Sequence, residues 1–311
     1  MRHTGMSNIG RGLRRRGRLM AQAVAPPRRS PAARAGKAAV SAVSAVTVVS
    51  SADGVDGAPC RAADYVAPSA PRLVESPVFV LSSVRSGSTL LRVLLNSHTR
   101  IRAPHEMHLR TLHVHLAREF TAAAMKGLEL DKDELEHVLW DRLLHLELSR
   151  SGKDVIVDKT PPNTLMWPRL HRCWPGARYV ILLRHPAAVV TSLARRRTDP
   201  DLGQIHAEVL DYSEKLEEAR HHLHARVITY EELTAEPEKV TRGLCDHLGV
   251  PWESSMLDYG RQDHGSFQPQ LGDWSGAIRS GRIQRARGAD PGTDLPPRLA
   301  QIARAWGYPV G

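Results

Sequence analysis

From Pro77 onward, short apolar runs alternate with amphipathic stretches. Val78-Phe79-Val80-Leu81 is continuously apolar, which predicts a strand covered on both faces rather than one half exposed to water. Ser88–Ser97 predicts a helix directly after it. In Asp131–Arg150 the apolar positions Leu135, Val138, Leu139, Leu143, Leu144 and Leu146 fall close to a 3.6-residue period, with Asp131 placed as the cap. Val155–Val157, Tyr179–Leu183 and Val227–Thr229 predict three more strands. Pro186–Arg196 predicts a helix with proline in its first turn, where a missing N–H costs nothing. Leu202–His224 predicts a longer, charged helix, and Val240–Leu248 another, closed by Gly249. Strands alternating with helices predict an α/β fold, a mostly parallel sheet flanked by helices on both faces.

The region before this pattern is different. Residues 1–75 are rich in Arg, Ala, Pro, Ser and Gly without a sustained period, and read as a disordered tail, with one domain over residues 76–311. The tail carries twelve Arg and Lys against four Asp and Glu, while the remainder carries thirty-one against twenty-nine. The net charge of +10 therefore belongs mostly to the tail, and nucleic acid is not the expected partner of the fold. Arg14-Arg15-Arg16-Gly17-Arg18 resembles a twin-arginine export signal, but the apolar stretch after it is short and broken by Pro26-Pro27. Cys60, Cys173 and Cys245 have no C-x-x-C spacing, so neither a disulfide framework nor a zinc site is expected, and a cytoplasmic location is the default. No run approaches the ~20 apolar residues of a membrane span.

Candidate chemistry starts at Ser82-Ser83-Val84-Arg85-Ser86-Gly87-Ser88-Thr89-Leu90-Leu91. A buried strand, a turn of small residues and a helix start make a phosphate cradle, because the first N–H groups of the helix lack partners and its dipole is positive there. The loop is P-loop-like but not a Walker A loop. Ser82 stands at the first glycine position and Ser88 at the lysine position, so an ATP or GTP enzyme would lack its phosphate-reaching lysine. Three further segments fall at strand ends, where open parallel sheets bind ligands. They are Asp158-Lys159-Thr160-Pro161, Arg184-His185-Pro186 with Ser192 eight residues past Arg184, and Tyr230-Glu231-Glu232-Leu233. Ser192 lies ~9 Å of helix rise beyond Pro186, so Arg184 and Ser192 are placed to flank one phosphate.

These segments resemble the sulfotransferases that use 3′-phosphoadenosine 5′-phosphosulfate, in the branch that includes tyrosylprotein sulfotransferases and many bacterial enzymes. Arg85–Leu91 is similar to their 5′-phosphosulfate loop, and Arg184 with Ser192 to their 3′-phosphate site. Asp158–Asn163, Trp174–Arg178, Tyr230–Leu233 with Glu236-Pro237-Glu238, and Leu299–Tyr308 follow in the same order. The resemblance implies a cofactor-binding set of Arg85, Ser86, Gly87, Ser88, Thr89, Leu90, Arg184, Ser192 and Tyr230, the last against the adenine. It implies Lys159 as stabiliser of the bridging oxygen and Glu106 as base, with His105 and His108 as the alternatives. It implies no metal. Gly272-Asp273-Trp274 and Ile278–Ile283 resemble a late loop folded over the nucleotide.

The function expected is transfer of a sulfuryl group from that donor to a hydroxyl by in-line displacement. The acceptor is left open among small molecules, sugars and peptides. A nucleotide-binding protein of the same fold without catalysis is the alternative, and a P-loop-like kinase the third. His105-Glu106-Met107-His108 has its histidines three apart, not the four of a zinc protease helix.

Overall fold

The computed structural model describes residues 71–265, 276–288 and 294–310. The tail expected over residues 1–75 lies outside the described residues up to position 70. Residues 71–75 are tied to the fold. The Arg72 guanidinium pairs with Glu134 at 2.9 Å. The Leu73 and Val74 N–H groups donate to the Asp141 carboxylate at 2.7 and 3.1 Å, and the Trp174 indole donates to the same carboxylate at 3.2 Å.

In chain order the elements are β1 (Val78–Ser82), α1 (Ser88–Asn96), β2 (Ile101–Arg102), α2 (Glu119–Gly127), α3 (Lys132–Ser151), β3 (Val155–Asp158), α4 (Trp167–Cys173), β4 (Arg178–Leu183), α5 (Pro186–Ala194), α6 (Leu202–His222), β5 (Ala225–Thr229), α7 (Tyr230–Ala235), α8 (Pro237–Leu248), α9 (Gly276–Arg279) and α10 (Pro297–Ala305). Local signals set many of the boundaries. The Asp131 side chain accepts from the Glu134 N–H at 2.7 Å and starts α3. Gly249 ends α8 at φ 67°, the left-handed region that favours glycine.

Several elements lie outside the sequence expectation, among them α2, α4, α7, α9 and β2. A fifth strand, β2, joins the sheet edge through Ile101 beside Val155 and Arg102 beside Ile156. Two residues carry no period, so the sequence pattern could not show it. Tyr230–Glu232 is not simply a loop at a strand end but the first turn of α7. Thr229 and Glu232 form a reciprocal capping box that starts this helix.

The strand order is β2-β3-β1-β4-β5, with every pair parallel. The chain leaves central β1 for one side of the sheet and returns for the other, which makes the carboxyl end of β1 the switch point. Alternation divides the core into two layers. Val78 and Val80 pack with Leu91, Leu94 and Leu95 of α1 and Leu244 of α8. Phe79 and Leu81 pack on the opposite face with Trp140 of α3, Leu170 of α4 and Leu216 of α6. Both faces are covered, so β1 is buried at every position. Each fully buried large apolar side chain of this kind stabilises by ~1.5–3 kcal/mol. A third cluster joins α5, α6 and α10 and includes Val84 of the loop after β1. Because the strands are parallel, the ends of β1, β3, β4 and β5 share one rim. No helix among the described residues is long and apolar enough to cross a membrane.

Candidate functional site

The loop after β1 is braced from beneath. The Thr164 hydroxyl accepts from the Ser82 N–H at 2.8 Å and donates to the Ser82 carbonyl at 3.0 Å. Ser86 is fully buried, and its hydroxyl donates to the Ser83 carbonyl at 2.7 Å. Its side chain therefore shapes the turn, while Arg85, Gly87, Ser88, Thr89 and Leu90 line the cavity above. Arg85 sits at φ 60° and Gly87 at φ 89°. Left-handed backbone at a non-glycine residue costs ~1–2 kcal/mol and holds only where the surroundings enforce it. At Gly87 a second constraint applies. A Cβ there would lie 2.1 Å from Cδ2 of Tyr230. Helix α1 opens on Gly87 with no side-chain cap and no acidic residue in its first turn. Its N-terminus thus keeps the positive potential that suits an anion.

Arg184 reaches this loop from the end of β4. Its Nη1 donates to the Arg85 carbonyl at 2.7 Å, and its guanidinium lies 4.6 Å from the centroid of the Tyr230 ring. Its Nε is buried with no hydrogen-bond partner. Burial lowers the guanidinium from arginine's ordinary proton affinity, and the nearby Arg85 charge adds to that. An anion placed here would satisfy the orphaned donor and offset both penalties. Ser192 on α5 completes the group, accepting from Arg85 Nε at 3.3 Å. Arg85, Arg184, Ser192 and Tyr230, brought from three strand ends, line one cavity of about 810 Å³. That volume falls within the ~300–1,000 Å³ of small-molecule sites.

Glu106 lines the same cavity. Its Oε1 accepts a short hydrogen bond from Lys159 Nζ, and the two side chains are 12% and 1% exposed. Burial lowers the ammonium's proton affinity below lysine's ordinary value, and the Glu106 charge opposes this. The neighbouring Asp158 is fully enclosed, and burial raises its carboxyl. It accepts from Thr160 Oγ1 at 2.8 Å and Asn163 Nδ2 at 2.7 Å. Thr160 Oγ1 also accepts from the Met107 N–H at 3.0 Å, which holds the Glu106 segment against the end of β3. The two alternative bases stand apart from the cavity lining. His108 Nε2 lies 3.8 Å from Glu106 Oε2. His105 has a buried Nδ1 without a partner, and burial followed by the Arg92 charge disfavours its protonated form.

Thr191, Arg195 and Arg196 also line the cavity and escaped the sequence reading, while Arg282 of the expected late loop lines it together with Tyr259 and Arg285. Arg196 stands four residues past Ser192, one helical turn on, a spacing visible in the sequence. Tyr259 opens the polar stretch that leads to the late loop. Its hydroxyl donates to the Arg282 carbonyl at 3.1 Å, which brings the late loop to the cavity. Gly272-Asp273-Trp274 of that loop lies outside the described residues. Among the described residues no group of three His, Cys, Asp or Glu is placed to hold a metal.

Comparison with known proteins gives the family and the fold. The model of the Sulfotransferase family matches residues 77–254, which contain the loop, Glu106, Lys159, Arg184, Ser192 and Tyr230. Nodulation protein NoeE of Sinorhizobium fredii is 35% identical over 126 residues, 37% of this chain and 30% of that protein. A protein-tyrosine sulfotransferase of Drosophila melanogaster is 22% identical over 202 residues, 60% of this chain and 40% of that protein. The chain thus spans well under half the length of these curated relatives. Among solved structures, the sulfotransferase domain of the Synechococcus olefin synthase superposes with a TM-score of 0.56 at 24% identity, covering 77% of this chain and 98% of that one. The sulfotransferase domain from the curacin biosynthetic pathway superposes equally, at 0.56 with 22% identity, covering 76% and 99%.

Proposed function

The chain belongs to the sulfotransferase family, and from that premise we propose that it transfers a sulfuryl group from 3′-phosphoadenosine 5′-phosphosulfate to a hydroxyl acceptor. The observation that carries the reading is that one cavity is lined by the α1 cradle, by Arg184 with its orphaned Nε, and by the Glu106 of the Glu106–Lys159 pair. Arg184 and Ser192 would hold the 3′-phosphate, which separates this donor from ATP. Arg85, Ser88, Thr89 and the N-terminal N–H groups of α1 would hold the 5′-phosphosulfate. Tyr230 would border the adenine. The bound donor supplies an electrophilic sulfur with a phosphate leaving group.

The chain's own residues do the rest. Glu106 takes the proton of the acceptor hydroxyl as its oxygen bonds to sulfur. Lys159 neutralises charge on the bridging oxygen as the old S–O bond breaks. The Glu106–Lys159 contact suits this division of labour, since the acceptor proton and the leaving oxygen carry complementary charge changes. Alignment of attacking and leaving oxygens requires the two phosphate sites to be rigid relative to each other. The Arg184–Arg85 and Arg85–Ser192 hydrogen bonds support that requirement directly.

The test is a transfer assay with sulfur-labelled donor over a panel of phenols, sugars, alkyl alcohols and tyrosine peptides. Label is expected on at least one acceptor class, with inhibition by adenosine 3′,5′-bisphosphate. Tight bisphosphate binding without transfer to any acceptor class would favour a non-catalytic nucleotide-binding protein. Phosphate transfer from ATP would overturn the reading.

A further inference from the structure

Directly behind Arg184 lies a network that the proposed chemistry does not use. Glu231, on the first turn of α7, has both carboxylate oxygens engaged. Oε1 accepts from the His185 N–H at 3.3 Å, and Oε2 accepts from the Tyr308 hydroxyl at 2.7 Å. Tyr308 follows α10 and is held on its other side. Its ring lies 4.9 Å from the His185 ring, and His185 Nε2 donates to the Pro309 carbonyl at 3.0 Å. His185 Nδ1 in turn accepts from the Ala187 N–H at 3.2 Å at the start of α5. Tyr308 and Val310 pack in the cluster that includes Val84 of the cradle loop. Glu231 is also close enough for its charge to act on Arg184. Yet Arg184 bonds to the Arg85 carbonyl and stacks on Tyr230 rather than pairing with a carboxylate.

We infer that Tyr308 is a positioning residue that restrains Glu231, keeping the carboxylate off Arg184 so that the guanidinium stays open to the ligand's 3′-phosphate. The inference rests on the donor reading above. Its physical basis is the cost of leaving a half-buried carboxylate oxygen without its protein donor. While the Tyr308 hydroxyl and the His185 N–H satisfy Glu231, nothing drives it to rotate. Once the hydroxyl is gone, Oε2 needs a new donor, and Arg184 is a cation that the Glu231 charge already reaches. A guanidinium binds a carboxylate in a two-point fork as readily as it binds a phosphate. The ligand would then have to displace an internal competitor.

The experiment measures dissociation constants of the full chain for adenosine 3′,5′-bisphosphate and for 5′-AMP, which lacks the 3′-phosphate. Tyr308→Phe is expected to weaken the bisphosphate about tenfold, the loss of roughly one charge-assisted hydrogen bond. It should leave 5′-AMP within about twofold. Glu231→Gln alone should leave both ligands within about twofold, since the amide cannot neutralise Arg184. Adding Glu231→Gln to Tyr308→Phe should restore the bisphosphate to within about twofold of the parent. A merely structural role predicts the opposite, with the double variant at least as weak as Tyr308→Phe. Thermal unfolding checks each variant, and Tyr308→Leu serves as a second route to the same ligand-selective loss if Tyr308→Phe does not fold. Equal losses for the two ligands, or a double variant that is not restored, overturn the inference while leaving the donor reading in place. A parent chain that binds the bisphosphate no better than 5′-AMP overturns both.

Discussion

Glu106→Gln and Lys159→Met are each expected to lower turnover by about a hundredfold to ten-thousandfold; Glu106→Gln should leave adenosine 3′,5′-bisphosphate affinity within about threefold, whereas Lys159→Met should weaken it by about tenfold, because the leaving oxygen remains on its 5′-phosphate. The bisphosphate carries both phosphates but no sulfate or acceptor. It therefore reports the cradle, the Arg184 pocket and the leaving oxygen beside Lys159, not the acceptor side where Glu106 acts. Glutamine keeps the size of Glu106 and removes its capacity as a base. Methionine keeps much of the reach of Lys159 and removes its charge. Each single variant strands one partner of an ion pair whose side chains are 12% and 1% exposed, so thermal unfolding should show a stability cost as well. Turnover measured per folded molecule separates the two effects.

Lys159 also predicts a pH dependence. Burial lowers its proton affinity in the folded protein, with Glu106 opposing. Its charged fraction falls as pH rises through that lowered value, so kcat should decline on the alkaline side, below the ~10.5 of an ordinary lysine. Stability should move the other way across the same window. Between the folded and the unfolded values the unfolded chain binds more protons, so this group makes folding more favourable as pH rises. A kcat profile without an alkaline limb below that of free lysine would exclude Lys159 as a required cation.

Gly87→Ala is the second large effect expected. A methyl group there meets the Tyr230 ring at 2.1 Å, far inside contact distance, and the φ of 89° is strained for alanine in any case. Either the Tyr230 ring leaves or the loop refolds. Both outcomes damage ligand binding, because Tyr230 carries Arg184 on its face and Gly87 begins α1. Bisphosphate affinity should fall by about a hundredfold or more, the worth of ~3 kcal/mol. Pairing Gly87→Ala with Tyr230→Ala should return part of the lost thermal stability, since the clash is gone and only the ~1–2 kcal/mol backbone strain remains. No recovery in the double variant would show that the ring contact is not what requires glycine.

How far the site was legible depended on how local each part was. The run from Val78 to Leu95 is contiguous, so strand, cradle and helix could be read together, and β1 and α1 follow within a residue or so. Lys159 and Arg184 were legible because each directly follows a recognisable strand. Strand β2 was not, since Ile101 and Arg102 gain their meaning only from pairing with β3. The start of α7 was written in Thr229 and Glu232 as a capping box but passes for a loop when only strand ends are sought. Loops carry no period, so nothing marked Ser86 as inward-facing while its neighbours line the cavity. Contacts between distant positions left no local trace at all. The Tyr230 ring over Gly87 joins residues more than a hundred apart, and Tyr308 meets Glu231 from 77 residues away.

The central claim is that the cradle at α1 and the Arg184 pocket grip two phosphates of one nucleotide. Isothermal titration of the full chain with adenosine 3′,5′-bisphosphate, 5′-AMP and ATP tests it most directly, with Arg184→Ala alongside. The bisphosphate is expected to bind at least tenfold more tightly than 5′-AMP or ATP, and Arg184→Ala to remove that advantage without weakening 5′-AMP. Equal affinity for the three nucleotides, or a bisphosphate advantage that survives Arg184→Ala, would contradict it.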